Sequence, residues 1–245
     1  MTPARVADAV ADAAAYLSGM PATPVPLERT DRAPWVWASA QALRSRVDAH
    51  GLADAVREHP AVEAVTARAD GWLEITLAPE WVDLTLADLA APAGMPPAHL
   101  PAAPLAVLGR RTLDNPGFVV LLAHARARRV AGQVRAGQAT DQHDAAALDP
   151  QALRDLSDPL DLALLTEILD APRRLVATAP HECAAALLAV AAAYLAWEER
   201  CPAIATRPGE PSTPQHWARA RISAAGLGVL ERGMALLGIT APARI

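Results

Sequence analysis

Five dipeptides in this chain place a side-chain oxygen directly before a proline, and they constrain the fold more than any other feature. The oxygen accepts a hydrogen bond from an otherwise unpaired amide of a first helical turn. Proline at the first helical position loses no hydrogen bond and has a suitable φ angle. Each dipeptide therefore predicts a helix start; the five are Thr2-Pro3, Asn115-Pro116, Asp149-Pro150, Asp158-Pro159 and Thr213-Pro214.

The first 89 residues predict a small α+β domain. Two short runs rich in β-formers, Val62 to Thr66 and Trp72 to Leu77, flank Ala-Asp-Gly at 69–71, which indicates a hairpin. Around this hairpin we expect helices over 39–49, 52–59 and 81–89, and an edge strand over 25–29. A helix is also expected directly after Pro34, with Trp35 and Trp37 at its start.

The rest of the chain predicts a linker followed by helices. Residues 90–104 contain five prolines and few large apolar side chains, so they indicate a semi-rigid linker. Residues 105–245 carry only helical signals, which predicts an all-α bundle in a mainly helical protein. The expected helices cover 116–137, 150–157, 159–170, 173–178, 180–200 and 214–237.

The composition excludes several kinds of active site. The 245 residues include 59 alanines and no lysine, so no Schiff-base nucleophile and no lysine-bearing phosphate loop can form. Cys183 and Cys201 are 18 residues apart, and one helix would separate them by ~27 Å, beyond disulfide reach. No Cys/His run has the spacing of zinc ligands. We expect no catalytic residue, no metal and no cofactor.

Two stretches bear on localisation. Asp8 and Asp12 interrupt the apolar stripe of the N-terminal segment, which a secretory signal peptide would not tolerate. The most apolar run, Cys183 to Trp197, is 15 residues long, short of the ~20 that span a bilayer. We therefore expect a cytoplasmic protein with reduced cysteines and no membrane partner.

Charge is unevenly distributed along the predicted bundle, although the formal net charge is -5. Six arginines and one acid, Asp114, lie in 105–139, whereas eight acids and one arginine, Arg154, lie in 141–170. The two segments either neutralise each other across a helix pair or leave an anion-binding face. On the first bundle helix, apolar periodicity places Val119, Val120, Ala127, Val130 and Val134 inward and His124, Arg128 and Arg135 outward.

Several segments resemble parts of one enzyme family. NPGFVVLLAHARARRVAG at 115–132, PHECAAALLAVAAAYLAWEERC at 180–201 and ALLGITAPARI at 235–245 resemble the DALR-type anticodon-binding domain of arginyl-tRNA synthetases. PVPLER at 24–29 and VEAVTARADGWLEITLAP at 62–79 resemble the N-terminal tRNA-contacting domain of that family. No HIGH-type or KMSKS-type signature lies between them, so the chain resembles a synthetase without its catalytic domain.

The resemblance implies a non-catalytic protein that binds tRNA, with arginine tRNA as one candidate. Contacts are implied at the elbow, through the N-terminal domain, and at the anticodon, through the bundle. The alternative is a regulatory module that has kept the fold, lost RNA binding and now binds a protein partner. Two features favour that alternative. One is the net acidic charge, and the other is that Glu198 and Glu199 stand in place of polar residues of the family's Phe-His-Ser-Phe-Tyr-Asn signature.

The resemblance also suggests which residues would contact RNA. Trp35 and Trp37 align with an aromatic platform that stacks a base, or else they pack into the domain. His124 lies in the well-matched Ala-His-Ala-Arg motif, where it either reads a base or bridges helices. Arginines near the start of the first bundle helix and near the C-terminus are placed to meet phosphate. The candidate nucleic-acid-binding residues are Trp35, Trp37, Arg110, Arg111, His124, Arg126, Arg128, Arg129 and Arg244.

Overall fold

The computed structural model describes residues 3–91, 111–140, 149–175, 180–205 and 210–240. The chain divides into two compact units, residues 1–85 and 86–245. Most of the predicted linker, and the candidate residues Arg110 and Arg244, lie outside the described residues. The fold is the predicted one: a small α+β unit followed by a helical bundle in a mainly helical protein.

The first unit contains a four-stranded antiparallel sheet in the order β1-β2-β4-β3. The predicted hairpin is confirmed as β3 and β4, and β1 is an edge strand as expected. Helices α1 and α3 pack together, and α3 packs against β3. The elements are α1 (Pro3–Ser18), β1 (Glu28–Arg29), β2 (Val36–Ser39), α2 (Gln41–Ser45), α3 (Ala49–Arg57), β3 (Val62–Ala67), β4 (Leu73–Leu77) and the start of α4 (Pro79–Ala90).

The expectation of a helix after Pro34 is wrong, because the segment forms the central strand β2. Val36 to Ser39 pair with β4 on one side, and Trp37 and Ala38 pair with β1 on the other. Aromatic and β-branched residues favour this pleated, half-buried setting. The predicted helix over 39–49 is correspondingly reduced to α2, which ends at Arg46 in the left-handed region with φ 53°.

The second unit contains the last turn of α4 and five further helices. All five predicted helix starts are confirmed across the two units: α1, α5, α7 and α9 begin at the proline and α6 begins one residue after it. The Asn115 and Asp158 side chains accept hydrogen bonds from backbone amides two residues later, at 3.1 and 2.9 Å. The helices are α5 (Pro116–Thr140), α6 (Gln151–Arg154), α7 (Pro159–Leu175), α8 (Pro180–Glu198) and α9 (Pro214–Leu236).

Two predicted helix boundaries are wrong. Helix α7 continues through Pro172, where two helices were expected, and 176–178 lie outside the described residues. Proline removes one helical hydrogen bond, but buried residues on both sides of it, Leu169 and Leu175, hold the helix in the bundle. Helix α6 is shorter than 150–157: it ends at Arg154, with Asp155 as its C-cap residue.

Helix α8 is the one helix in the described ranges that is long and apolar enough to cross a bilayer by length and composition. However, 44% of its most apolar window is buried inside the molecule, and it packs against α5, α7 and α9. A core helix of a bundle meets the same criteria.

The end of α4 packs closely against α9 at Gly228. A Cβ atom added to Gly228 would lie 1.8 Å from the Leu89 carbonyl oxygen. Beside this contact, the Arg232 guanidinium donates to the carbonyl oxygens of Asp88 and Ala91 at 2.7 and 3.1 Å. These bonds satisfy carbonyl groups that the end of a helix leaves unpaired. Gly228 and Arg232 therefore join the last turn of α4 to the bundle.

We expect Gly228→Ala to destabilise the protein by ~1–3 kcal/mol, because its methyl group overlaps a backbone oxygen that cannot rotate away. Gly132→Ala on α5 is the matched control, since nothing lies within 4 Å of the added Cβ atom. Replacing this helical glycine should stabilise by ~0.4–1 kcal/mol. Urea unfolding followed by circular dichroism measures both changes; equal midpoints for the two variants would contradict the assignment.

Candidate nucleic-acid interface

A buried ionic cluster connects three helices of the bundle. The carboxylate of Asp161 on α7 is fully buried and accepts a hydrogen bond from the Trp197 indole on α8 at 2.7 Å. Arg219 on α9 donates to the same carboxylate through Nε at 3.0 Å and Nη2 at 2.8 Å. Burial opposes the charged form of Arg219, but the hydrogen bonds and charge of Asp161 outweigh it and raise its pKa. We call Asp161, Trp197 and Arg219 the buried hub.

The last turns of α8 are fixed at a second point. The Tyr194 hydroxyl lies 2.6 Å from the Ser223 hydroxyl on α9, and both side chains are buried. Burial raises the pKa of Tyr194 to about 12, the bond to Ser223 opposes this change, and the charge of Glu198 adds to it. The Tyr194 and Trp197 rings are 5.4 Å apart and tilted. The end of α8 is therefore anchored by packing and by hydrogen bonds.

Directly after this anchor, α8 presents two carboxylates to arginines of α5. Glu198 Oε2 lies 2.9 Å from Arg126 Nη1, and Glu198 Oε1 lies 2.5 Å from Arg129 Nη2. Glu199 Oε1 lies 3.4 Å from the same Arg126 nitrogen. Arg126 and Arg129 are three residues apart and share one face of α5. These four residues form what we call the α5/α8 charge cluster.

The cluster corrects the sequence interpretation of charge. Two arginines of the basic helix, Arg126 and Arg129, are paired with carboxylates, but these come from α8 and not from the acidic segment that one alternative expected. The described ion pairs of that segment lie elsewhere, joining Asp161 to Arg219, Glu167 to Arg174 and Asp170 to Arg173. Helix α5 packs on α8 and α9, so its charges meet the acids of those helices.

His124 is buried, which corrects its expected outward position. Its side chain is 6% exposed, and Nε2 lies 3.6 Å from a carboxylate oxygen of Glu231 on α9. Burial lowers the pKa of His124, against the opposing hydrogen bond and charge of Glu231. The reason is that α9 covers this side of α5, so the buried face is wider than the row of valines predicted. His124 bridges two helices and is not displayed to a ligand.

The two tryptophans differ in exposure. Trp37 is 1% exposed, and its indole donates to the Pro34 carbonyl at 3.0 Å. Trp37 therefore belongs to the core and cannot stack a base, whereas Trp35 is half-buried. Among the arginines, Arg111, Arg128 and Arg129 are exposed and Arg126 is partly exposed.

No group of His, Cys, Asp and Glu in the described part of the chain could hold a metal ion. Cys183 and Cys201 are free and buried, and burial raises the pKa of both thiols. The Cys183 thiol donates to the Leu175 carbonyl at 3.4 Å. Buried thiols of raised pKa are poor nucleophiles.

Sequence reasoning missed the partners in this region. It did not pair Asp161 with Arg219, Tyr194 with Ser223, or Arg126 with Glu198. The one available signal was the spacing of Arg126 and Arg129, which predicts that their side chains share a face. The sequence offered nothing to place Glu198 opposite that face.

The family of this chain follows from residues 120–245, which match the DALR anticodon binding domain. The match covers slightly more than half of the length of this chain, so the chain belongs to the DALR anticodon binding domain family. The resemblance to arginyl-tRNA synthetases is confirmed by curated relatives.

Three of these relatives illustrate the similarity. The arginine–tRNA ligase of Clavibacter sepedonicus is 34% identical over 145 residues, which are 58% of this chain and 25% of that protein. The ligase of Kineococcus radiotolerans is 34% identical over 146 residues, with the same shares. That of Anaeromyxobacter sp. (strain K) is 33% identical over 141 residues, 56% of this chain and 23% of that protein. The chain thus spans about a quarter of the length of these relatives, and no solved structure matches it.

We expect Asp161→Asn to destabilise the bundle by ~3–5 kcal/mol, because it leaves the buried Arg219 guanidinium without a counter-charge. Asp155→Asn is the control, since Asp155 is exposed and accepts a side-chain hydrogen bond from Gln151 on the same helix at 3.2 Å. The control should change stability by less than ~0.5 kcal/mol. Urea unfolding monitored by tryptophan fluorescence and circular dichroism tests both; a loss below ~1 kcal/mol in the first variant would show that the hub is not essential.

Proposed function

We propose that this protein binds tRNA through the face of the bundle formed by α5 and the end of α8, and that it does not aminoacylate the tRNA. The observation that carries the proposal is membership of the DALR anticodon binding domain family over residues 120–245. Three arginines of α5, Arg126, Arg128 and Arg129, supply the phosphate-binding chemistry. The relatives are named arginine–tRNA ligases, so arginine tRNA is the first RNA to test.

The proposal of a non-catalytic role rests on the sequence. The chain contains no lysine and neither of the two nucleotide-binding signatures of the synthetase family. The described side chains include no metal site and no reactive thiol. A cytoplasmic location accords with free cysteines and a tRNA ligand, and we include it in the proposal.

The phosphate-binding face is smaller than the sequence suggested. Arg128 is exposed on α5, whereas Arg126 and Arg129 are engaged by Glu198. Trp37 and His124 are buried, so Trp35 is the aromatic candidate that retains an exposed fraction. Electrostatic contact with the phosphate backbone should therefore dominate the affinity, and base reading should contribute little.

The same neutralisation favours a second candidate, a regulatory module that has lost RNA binding and binds a protein partner. Paired arginines contribute little positive potential to a surface, and the chain is acidic overall. The two candidates differ in the expected effect of nuclease and salt. A nuclease-resistant protein complex, together with no tRNA complex at 50 mM salt, would support the second.

We expect arginine tRNA to bind with an affinity that falls steeply between about 50 and 200 mM salt, because binding releases counterions from phosphates. Replacing Arg126, Arg128 and Arg129 together by glutamine should weaken binding by at least ~10-fold and reduce the log–log salt slope by up to ~2. Fluorescence anisotropy with labelled tRNA, repeated over a salt series, measures both quantities.

Arg174→Gln is the matched control for this experiment. Arg174 is partly exposed and is paired with Glu167 on the same helix, near the end of α8 opposite to Glu198. Its removal should leave affinity and slope within twofold of the native protein. Absence of a tRNA complex at 50 mM salt, or an equal loss in the control, would refute the proposed interface.

A further inference from the structure

In the α5/α8 charge cluster, the carboxylates of α8 are paired with the arginines of α5. Both oxygens of Glu198 are used, one by Arg126 and the other by Arg129, and Glu199 adds a second contact to Arg126. The two arginines and two glutamates of the cluster carry no net charge. Glu198 thus accepts from one nitrogen of each guanidinium group, Nη1 of Arg126 and Nη2 of Arg129, and its charge offsets the attraction that both groups offer a phosphate diester.

Glu198 is held in place by the residue before it. Trp197 is fully buried and bonded to the buried hub, and Tyr194, one turn earlier, is bonded to Ser223. The backbone of this turn therefore cannot withdraw without breaking both anchors. Opening the cluster therefore requires rotation of side chains, of Glu198 or of the two arginines.

Exposure within the cluster is unequal. The Glu198 side chain is 14% exposed, whereas Arg126 is 30% and Arg129 is 60% exposed. The carboxylate thus lies on the inner side of the two guanidinium groups, whose outer parts face solvent. An anion arriving from solvent can approach the arginines, but it must compete with Glu198 for their charge. If the anion displaces Glu198, the poorly solvated Glu198 carboxylate loses its arginine partners, which costs free energy.

We infer that Glu198, assisted by Glu199, is an autoinhibitory phosphate mimic that occupies Arg126 and Arg129 until RNA displaces it. This inference rests on the proposed function and adds regulation to the same site. Arg128 is exposed and forms no ion pair with any residue that the structure describes, so its charge is available to RNA without opening the cluster. Displacement of Glu198 then adds two further arginines. The protein binds RNA weakly unless the local phosphate density is high enough to open the cluster.

The test compares tRNA binding by the native protein and by Glu198→Gln. Glutamine keeps the shape and one acceptor oxygen but removes the charge, so Arg126 and Arg129 become available to phosphate. We expect about tenfold tighter binding of arginine tRNA at ~0.1 M salt and a salt slope steeper by about one, because the substitution adds one net positive charge to the cluster. Fluorescence anisotropy across the salt series gives both readouts.

Glu167→Gln is the matched control. It removes the same charge from a partly buried carboxylate that is paired with an arginine at 3.1 Å on α7. Affinity should change by less than twofold, since the pair lies outside the cluster. An equal gain in both variants would mean that net charge alone is responsible, which would overturn the inference.

A double-mutant cycle tests the mechanism directly. In a protein that already carries Arg126→Gln and Arg129→Gln, the gain from Glu198→Gln should fall below twofold, because nothing remains to be released. Persistence of the full gain in that background would overturn the inference.

Glu199→Gln provides a second variant should Glu198→Gln fail to fold. Glu199 is 65% exposed and contacts Arg126 at 3.4 Å, so its loss is tolerated and a gain of about two- to threefold is expected. Unchanged or weaker binding in the folded glutamate variants, with clear binding by the native protein, overturns autoinhibition and leaves the proposed function standing. Failure of every variant to bind at 50 mM salt overturns the proposed function itself.

Discussion

The bundle depends on one buried carboxylate. Asp161 has no exposed surface, and its charge is balanced by Arg219 while its remaining capacity is used by Trp197. An ion pair in this setting contributes through geometry more than through net stability, because desolvation offsets much of the attraction. Each partner comes from a different helix, so the pair fixes how α7, α8 and α9 meet. Loss of Asp161 or Arg219 leaves the other, a buried charged group, without its partner.

The surface chemistry of the bundle follows from that constraint. Trp197, which is bonded to Asp161 in the core, immediately precedes Glu198. It therefore positions the carboxylate that pairs with the arginines of α5. Tyr194 strengthens the same turn through Ser223. In this way a buried contact determines which arginines of α5 are free. The two carboxylates that replace polar residues of the synthetase signature are therefore part of an ordered cluster, and they are not simply a region that repels RNA.

Much of the fold could be predicted because its signals are local. A side-chain oxygen before proline satisfies amides in the next turn, and this requires no distant partner, so all five helix starts were found. The hairpin at 62–77 is local for the same reason. The central strand containing Trp37 was missed, because its partners lie on two other strands and no signal in the neighbouring sequence indicates them. Helix α7 passed through Pro172 because burial outweighed one lost hydrogen bond.

The sequence by itself determined the helix starts, the supply of arginine as the only permanent cation and the resemblance to a tRNA-dependent family. Only the tertiary structure decided which of those arginines are free. Arg126 and Glu198 are 72 residues apart, and Asp161 and Arg219 are 58 apart. Such pairs depend on how whole helices pack. His124 and Trp37 were placed inward for the same reason: their faces are covered by elements that are distant in sequence, and burial is a property of the assembled core.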